Sequence, residues 1–525
     1  MRIPPFSGAK AKSFAAVPGE PTSLEDLAQE IRRQRVGGTY WGSQPPLPGN
    51  HVLARSLKAA EVGRAMADGG PLVLWIQSHA PAAPDCTVVV GDCDPWHMLA
   101  SATALIAEAD DEVRLIASLL GVPVHDPVTG KMFEGPEWGT LAQAIGASAF
   151  ENPFTGEAMT PLEAVQLCGF WRRLIDSNRG IGGGYGFAFW KQAHVAPLLW
   201  NGSDSFRFVR TPSDVAAGSA VAVWRAKAAA GVIAELERSG SRIIEVEDGF
   251  LRSRGLGADC VPPLSITVDN VGAYFDPSRP SDLENLLEEG GWDSQLLARA
   301  SELRQLIVEA GIGKYEQGGG ALQRRVADRR HILVPGQVED DRAVQMGGCG
   351  LVSNLELLKR VRGEAPDAYI LYKPHPDVLA GHRRGAVPDR ACLQFADEIV
   401  GDLPIASLIA MADEVHVNTS LAGFEALLRG KSVTTYGVPF YAGWGLTKDL
   451  GPVPDRRTAK RSLDELVAVT LLIYPRYVDP LSGLPCPAEV VVARLSSGEQ
   501  RDAGLLVGMR RLQGKLMRRL RSLVQ

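Results

Sequence analysis

Val246-Glu247-Asp248-Gly249-Phe250-Leu251-Arg252-Ser253-Arg254-Gly255-Leu256-Gly257 is the stretch whose reading decides the fold. The apolar pair Ile243-Ile244 just before it reads as the end of a buried strand, so Glu247 and Asp248 emerge where a parallel strand meets its loop. In open α/β sheets ligands bind at that edge. Gly249 is expected to let the chain turn sharply after the acids. Arg252 and Arg254 add cations within a few residues, a setting for an anionic sugar or a phosphate.

Around this stretch, short β-rich runs (206–210, 220–223, 242–246) alternate with helix-like segments (225–239, 283–287, 297–310). That spacing predicts βαβ units and a parallel sheet. A polar, Gly-rich segment between Glu309 and Arg330 reads as a hinge. Beyond it the pattern repeats: strand 331–334 with loop 335–341, strand 368–372 with loop 373–377, strand 414–417 with loop 418–420. Each polar cluster stands at a strand's C-terminal end, so two Rossmann-like α/β domains facing each other across a cleft bring them together. The expected division is an N-terminal accessory region over 1–160, a first Rossmann-like domain over 161–325, a second over 326–480 and a C-terminal segment over 481–525. In the accessory region the sequence predicts a helix over 23–35 capped by Ser23, strands at 71–76 and 87–90, helical periodicity over 100–120, and loops between short helices over 121–165.

Length and composition bound the class. A chain of 525 residues exceeds one hydrophobic core, and 45% hydrophobic with 22% charged residues is ordinary globular composition. The formal net charge of -6 gives no support to nucleic-acid binding. The seven cysteines have no repeated short spacing and cannot all pair, which suits a reducing compartment and places the chain in the cytoplasm. The N-terminus lacks the apolar core of a secretory signal, and no apolar run approaches a membrane span, so membrane contact is expected to be peripheral.

Two further clusters carry chemistry. In Lys373-Pro374-His375-Pro376 the prolines stiffen the loop, so Lys373 and His375 project in set directions, suiting a phosphate leaving group; the bland reading is a rigid turn with a solvated lysine. Asn418-Thr419-Ser420 before a helix supplies hydroxyls and free backbone N–H groups at a positive helix end, or an ordinary N-cap. Glu425, in the second turn, is placed to meet a ribose hydroxyl or to be surface charge. Gly430-Lys431-Ser432 only imitates a P-loop, since Glu425 stands at the first glycine position. Asp92-Cys93-Asp94 with Cys86 and His97 lacks metal-site spacing, so no metal is expected. The glycine runs at 180–186 and 311–320 do not fit a nicotinamide-binding motif. Over 505–523, leucines and Met509 recur at spacings of three and four among arginines and lysines, a basic amphipathic helix that either lies on an anionic membrane or straps the fold.

Taken together these clusters resemble the bacterial capsular polysaccharide β-Kdo transferases of the KpsC/KpsS (LipB) type. The matching stretches are Glu247 to Ser253 with Gly255-Leu256-Gly257, Val334 to Asp341, Tyr372 to Val378, and Thr419 to Gly430 continuing into the run Tyr436 to Thr447. The similarity covers roughly residues 165–480; each motif occurs once, so one active site is expected, and nothing in 1–160 is recognised. The acidic and His-Pro motifs are also similar to those of bacterial sialyltransferases. The resemblance implies a GT-B fold, no cofactor, CMP-Kdo as donor, and retaining transfer of β-Kdo to a lipid-linked saccharide at the cytoplasmic face of the inner membrane. It implies that Asp248 is the nucleophile, or the general base if the enzyme inverts, with Glu247 orienting it. It implies that His375 holds or protonates the leaving phosphate, helped by Lys373, Thr419 and Ser420. Arg252 is the expected partner of the Kdo carboxylate, Gln337 of cytidine or phosphate, and Glu425 of the ribose. The alternatives are a CMP-sialic-acid-type transferase, a sugar-nucleotide epimerase on the same fold, and an inactive glycolipid-binding module of a capsule export system.

Overall fold

The computed structural model describes residues 2–8, 13–19, 22–78, 85–133, 148–202, 205–216, 218–251, 261–312, 323–381, 383–401 and 403–498. Arg252 and the basic 505–523 segment lie outside the described residues. The chain divides into two compact units, 1–181 with 199–206, and 182–198 with 207–525.

In the N-terminal unit, β1 (Ala16–Pro18) is followed by β2 (His51–Ala54), β3 (Leu72–Ile76), β4 (Thr87–Val90), β5 (Ala102–Ile106) and β6 (Val124–His125), then by β7 (Ser148–Glu151) and β8 (Ala158–Met159). Strands β2 to β6 form one parallel sheet in the order β4-β3-β2-β5-β6. Counted from β2 this is 3-2-1-4-5, a doubly wound arrangement. Val52, Ala54, Leu72, Leu74 and Ile106 bury one face of it, joined by Ala59 and Ala60 of the helix Leu57–Ala67. The helical periodicity expected over 100–120 resolves into a strand, β5, and a helix, Val113–Leu120. Ala102–Ile106 is an unbroken apolar-rich run between two neighbouring strands, and such a run does not reveal its own type.

The loops expected over 121–165 hold β6, β7 and β8 among their described residues; β7 pairs antiparallel with both β1 and β8. Their loop-like texture comes from hairpin turns. Asp126 Oδ1 accepts from the backbone of Val128 and Thr129, Asn152 Oδ1 from Phe154 and Thr155, and Gly130 and Gly156 follow with φ of 67° and 75°. The helix Pro161–Asn178 carries the capping box Thr160/Glu163 and packs on the helix Leu24–Gln34, itself capped by Ser23. The contact division therefore falls after this helix, whereas the expected boundary stood before it.

The second unit has two sheets. The first contains β9 (Ile181–Tyr185), β10 (Ala220–Val223), β11 (Ile243–Asp248) and β12 (Ser265–Asp269). The second contains β13 (His331–Pro335), β14 (Tyr369–Lys373), β15 (Glu398–Ile399), β16 (Glu414–Val417), β17 (Ser432–Thr435) and β18 (Lys448–Asp449). The chain then returns through β19 (Pro475–Val478) and β20 (Pro485–Cys486) to complete the first sheet, ordered β20-β19-β12-β11-β10-β9. The expected 480/481 boundary thus separates two strands that pair with each other. The first sheet is mixed rather than parallel: β10 and β11 run parallel, but β12 runs back along β11 and β19 along β12. Asp248 is consequently paired within the ladder, opposite Ile266, instead of emerging into a loop.

The second sheet agrees with the parallel expectation throughout. Its order, β15-β14-β13-β16-β17-β18, reads 3-2-1-4-5-6, so the chain reverses direction across the sheet between β13 and β16. That switch point is where a doubly wound sheet leaves a crevice beyond its strand ends.

Within the N-terminal unit, Arg172 and Asp94 are buried at 4% and 0% side-chain exposure and meet through a two-pronged contact of 3.2 and 2.5 Å. Asp94 also accepts from Gln44 and caps the helix Pro95–Leu99, while His97 Nε2 meets the Pro45 carbonyl. The Asp92-Cys93-Asp94 stretch is thereby built into the fold. Arg172→Met leaves the Asp94 carboxylate buried without its counter-ion, and the expected loss is about 3–5 kcal/mol. Urea titration of the variant against the parent chain measures it.

Candidate active site

Side chains of β11 alternate between faces, so Glu245 and Glu247 share one side and Asp248 takes the other. Arg342, from the helix Arg342–Gly347 after β13, donates to Glu247 Oε1 at 2.6 Å and lies 3.5 Å from Glu245 Oε2. Glu245 is 5% exposed and also receives Arg225 at 2.6 Å and Arg279 at 2.8 Å. On the other side, Lys191 of the helix Phe189–Leu199 donates to Asp248 Oδ1 at 2.9 Å. Its ammonium lies 3.5 Å from the centroid of the Trp224 ring. Burial pushes the Glu247 carboxyl up to about 7, against the opposing pull of Arg342 and Lys191. Adjacent acids in the sequence thus stand in unlike surroundings.

Gly249 serves by close approach. Its φ is not positive, but a Cβ there would lie 2.2 Å from Ser265 Oγ. The expected sharp-turn role is therefore replaced by contact between β11 and β12. Phe250, 3% exposed, then packs on Phe440 and Tyr274, with ring centroids 4.6 and 5.0 Å away.

At the switch point of the second sheet, Gln337 follows β13 and Thr419 follows β16. The Gln337 amide spans them: its Oε1 accepts from the Thr419 backbone at 3.0 Å and its Nε2 donates to the Thr419 hydroxyl at 2.9 Å. Ser420 caps the helix Leu421–Leu428 by accepting from Ala422 N at 3.2 Å. The Tyr441 hydroxyl donates to the Ser420 carbonyl, and Gly423 makes room for it, since a Cβ there would sit 2.2 Å from that oxygen. The run 436–447 is buried through Trp444 and supports Ser420 through Tyr441.

His375 caps the short helix Pro376–Leu379, and its Nδ1 accepts from the Asp377 backbone at 3.1 Å. In the neutral ring the proton is therefore on Nε2. Lys373 is 4% exposed, and its ammonium donates to the carbonyls of Gly401 at 3.2 Å and Leu403 at 2.5 Å. Glu425, 6% exposed, lines a recess of about 60 Å³ together with Lys373, His375, Ser420 and Leu421.

A cavity of about 560 Å³ joins these groups, with Lys191, Glu247 and Asp248 on one side and Gln337, His375, Thr419 and Ser420 on another. His375 and Ser420 also border the smaller recess. The structure thus collects the expected Glu247, Asp248, Gln337, Lys373, His375, Thr419, Ser420 and Glu425 around two spaces that share His375 and Ser420 in their walls. Among the described residues no group of three or more His, Cys, Asp or Glu is placed to hold a metal ion, and no helix is long and apolar enough to cross a membrane.

Sequence reading missed Lys191, Arg342 and Glu245. Lys191 had a signal: it is the single lysine in an otherwise apolar-rich helix, FWKQAHVAPLL. Arg342 had none, since it follows Glu339-Asp340-Asp341 as a surface arginine would.

Comparison with known proteins bears on this site. The family described as "Capsule polysaccharide biosynthesis protein" matches residues 219–317 and 319–477, which contain Glu247, Asp248, His375 and Ser420. The capsule polysaccharide modification protein LipA of Neisseria meningitidis serogroup A is 37% identical over 366 residues, 68% of this chain and 52% of LipA. The lipopolysaccharide-processing protein LpsZ of Rhizobium meliloti is 45% identical over 263 residues, 49% of this chain and 59% of LpsZ. The chain spans about half the length of the LipA proteins it matches. Among solved structures, the β-Kdo 2,4 transferase of Thermosulfurimonas dismutans KpsC is 32% identical, with a TM-score of 0.52, over 60% of this chain and 98% of that one. The β-Kdo 2,7 transferase of the same KpsC is 37% identical, with a TM-score of 0.49 and the same coverage. The chain has a GT-B fold and belongs to the capsule polysaccharide biosynthesis family that includes the KpsC-type β-Kdo transferases.

Proposed function

We propose that this chain is a retaining glycosyltransferase that moves Kdo from CMP-Kdo to a lipid-linked saccharide of a surface polysaccharide, without a metal, at the cytoplasmic face of the inner membrane. One observation carries the reading: Asp248, held by Lys191, and His375, bearing its proton on Nε2, line the same cavity as the Thr419-Ser420 helix end. A departing CMP needs positive potential and a donor at its phosphate. The N-terminus of the helix Leu421–Leu428 supplies the first and His375 Nε2–H the second. Asp248 supplies the nucleophile: its carboxylate oxygen bonds to the anomeric carbon as the bond to phosphate breaks. An acceptor hydroxyl then displaces it, and Glu247, poised near neutrality, takes the hydroxyl proton. Gln337 contributes by fixing Thr419, and Glu425 at the small recess suits a ribose hydroxyl.

Asp248→Asn is expected to abolish transfer, and His375→Ala to lower turnover about 10²- to 10⁴-fold, both read as CMP release from CMP-Kdo with a synthetic lipid-linked acceptor. Parent-like turnover in both overturns the proposal. Peptide mass mapping of the donor-treated parent is expected to show one Kdo added on the Asp248 peptide.

Glu247 makes a pH prediction of its own. Its carboxyl holds a proton in the folded chain, up to about pH 7, that the unfolded chain has already released. Its contribution to stability is therefore full below the ordinary carboxylate range and is lost as pH rises through about 7. Glu247→Gln is expected to flatten that part of the melting temperature against pH and to remove the limb near pH 7 from the rate profile.

A further inference from the structure

We infer that Glu245 is a positioning residue for the transfer: it divides the Arg342 guanidinium with Glu247 and so sets the pH at which Glu247 can take the acceptor proton. The inference rests on the reading of Glu247 as proton acceptor above and adds the residue that governs it.

A strand turns every second side chain to the same side, so Glu245 and Glu247 are neighbours about 7 Å apart on one face of β11. Arg342 reaches both, with Nη1 2.6 Å from Glu247 Oε1 and Nη2 3.5 Å from Glu245 Oε2. The first distance is a full charged hydrogen bond and the second only the edge of one, so the guanidinium leans on Glu247 while Glu245 stays within reach. The Phe275 ring, 5.0 Å from the guanidinium carbon, backs it.

Other cations keep Arg342 from crossing over. Glu245 is 5% exposed, and its Oε1 receives Arg225 at 2.6 Å and Arg279 at 2.8 Å. Arg225 also meets Glu237, and Arg279 meets Asp276. Opposite Glu245 on β12, Asp269 is occupied by the backbone N–H groups of Val271, Gly272 and Asp282 and by the Tyr474 hydroxyl. With its charge already answered by Arg225 and Arg279, Glu245 makes a weak claim on Arg342, and most of that cation's field falls on Glu247. Removing the Glu245 charge gives Arg342 to Glu247 alone. Removing Arg279 lets Glu245 draw Arg342 away. Glu247 must respond to these two changes in opposite directions, because a nearby cation favours its charged form and a nearby anion its neutral form. Burial holds the Glu247 carboxyl up at about 7, Arg342 and Lys191 oppose it, and Glu245 and Asp341 add to it. Asp248 on the other face of β11, and Lys227, His375, Asp377 and Arg383 on the cavity wall, are common to the variants below and cancel in their comparison.

The test records two pH profiles for the parent, Glu245→Gln, Arg279→Gln and Glu247→Gln: CMP release from CMP-Kdo with the synthetic acceptor, and melting temperature, which needs no donor. As pH passes through the Glu247 titration the rate rises and the stability contribution is lost. Glu245→Gln is expected to move both midpoints down by about 0.5–1 pH unit, and Arg279→Gln to move them up by about the same amount. A packing role for Glu245 lowers the melting temperature or the rate and leaves the midpoints in place. Arg279 has a side chain 41% exposed, so Arg279→Gln carries the test if Glu245→Gln fails to fold. Unmoved midpoints, or shifts of both variants in one direction, overturn the inference, while loss of the limb in Glu247→Gln keeps the reading of Glu247 as proton acceptor. A limb that persists in Glu247→Gln removes that reading and the inference with it. Without CMP release by the parent the CMP-Kdo reading falls, and the melting profile alone decides whether Glu245 sets the Glu247 titration.

Discussion

Two ion pairs on opposite faces of β11 organise the site. Lys191 meets Asp248 at 2.9 Å from one side, and Arg342 meets Glu247 at 2.6 Å from the other. Because the strand alternates its side chains, neighbouring carboxylates need not share a proton or repel each other directly. Both have a cation beside them, and burial pushes the Glu247 carboxyl up to about 7 against the pull of Arg342 and Lys191. Separating two acids in this way puts chemically similar side chains in unlike surroundings.

Arg342 ties this arrangement to the second sheet. It comes from the helix that follows β13, the strand whose loop also carries Gln337, and it reaches both Glu245 and Glu247. Phe250, one residue beyond Gly249, adds an apolar counterpart by packing on Phe440. The buried run 436–444 meets Ser420 through Tyr441. Charge and packing therefore bring the acidic strand and the His375, Thr419 and Ser420 loops to the same cavity.

Much of this was legible in the chain. His375 between two prolines and Thr419-Ser420 before a helix follow strands β14 and β16, as the β-rich runs implied. Less legible were the partners. Lys191 and Arg342 are far from the acids in sequence, and only the fold brings them within hydrogen-bonding distance. The N-terminal doubly wound sheet was legible only in β3 and β4, which match the strands expected at 71–76 and 87–90. Its strands are two to five residues long, and the alanines and threonine in Ala102–Ile106 read equally well as helix.

Sequence alone determined which chemistry-bearing residues stand at strand ends, because strand, loop and helix signals are local and travel with their neighbours. Tertiary structure decided the rest. It placed β12 antiparallel to β11, assigned Gly249 to close packing against Ser265, spent the Gln337 amide on Thr419, and gave Asp248 and Glu247 different counter-ions. Those outcomes depend on which atoms meet across long stretches of chain, and on how deeply the meeting is buried.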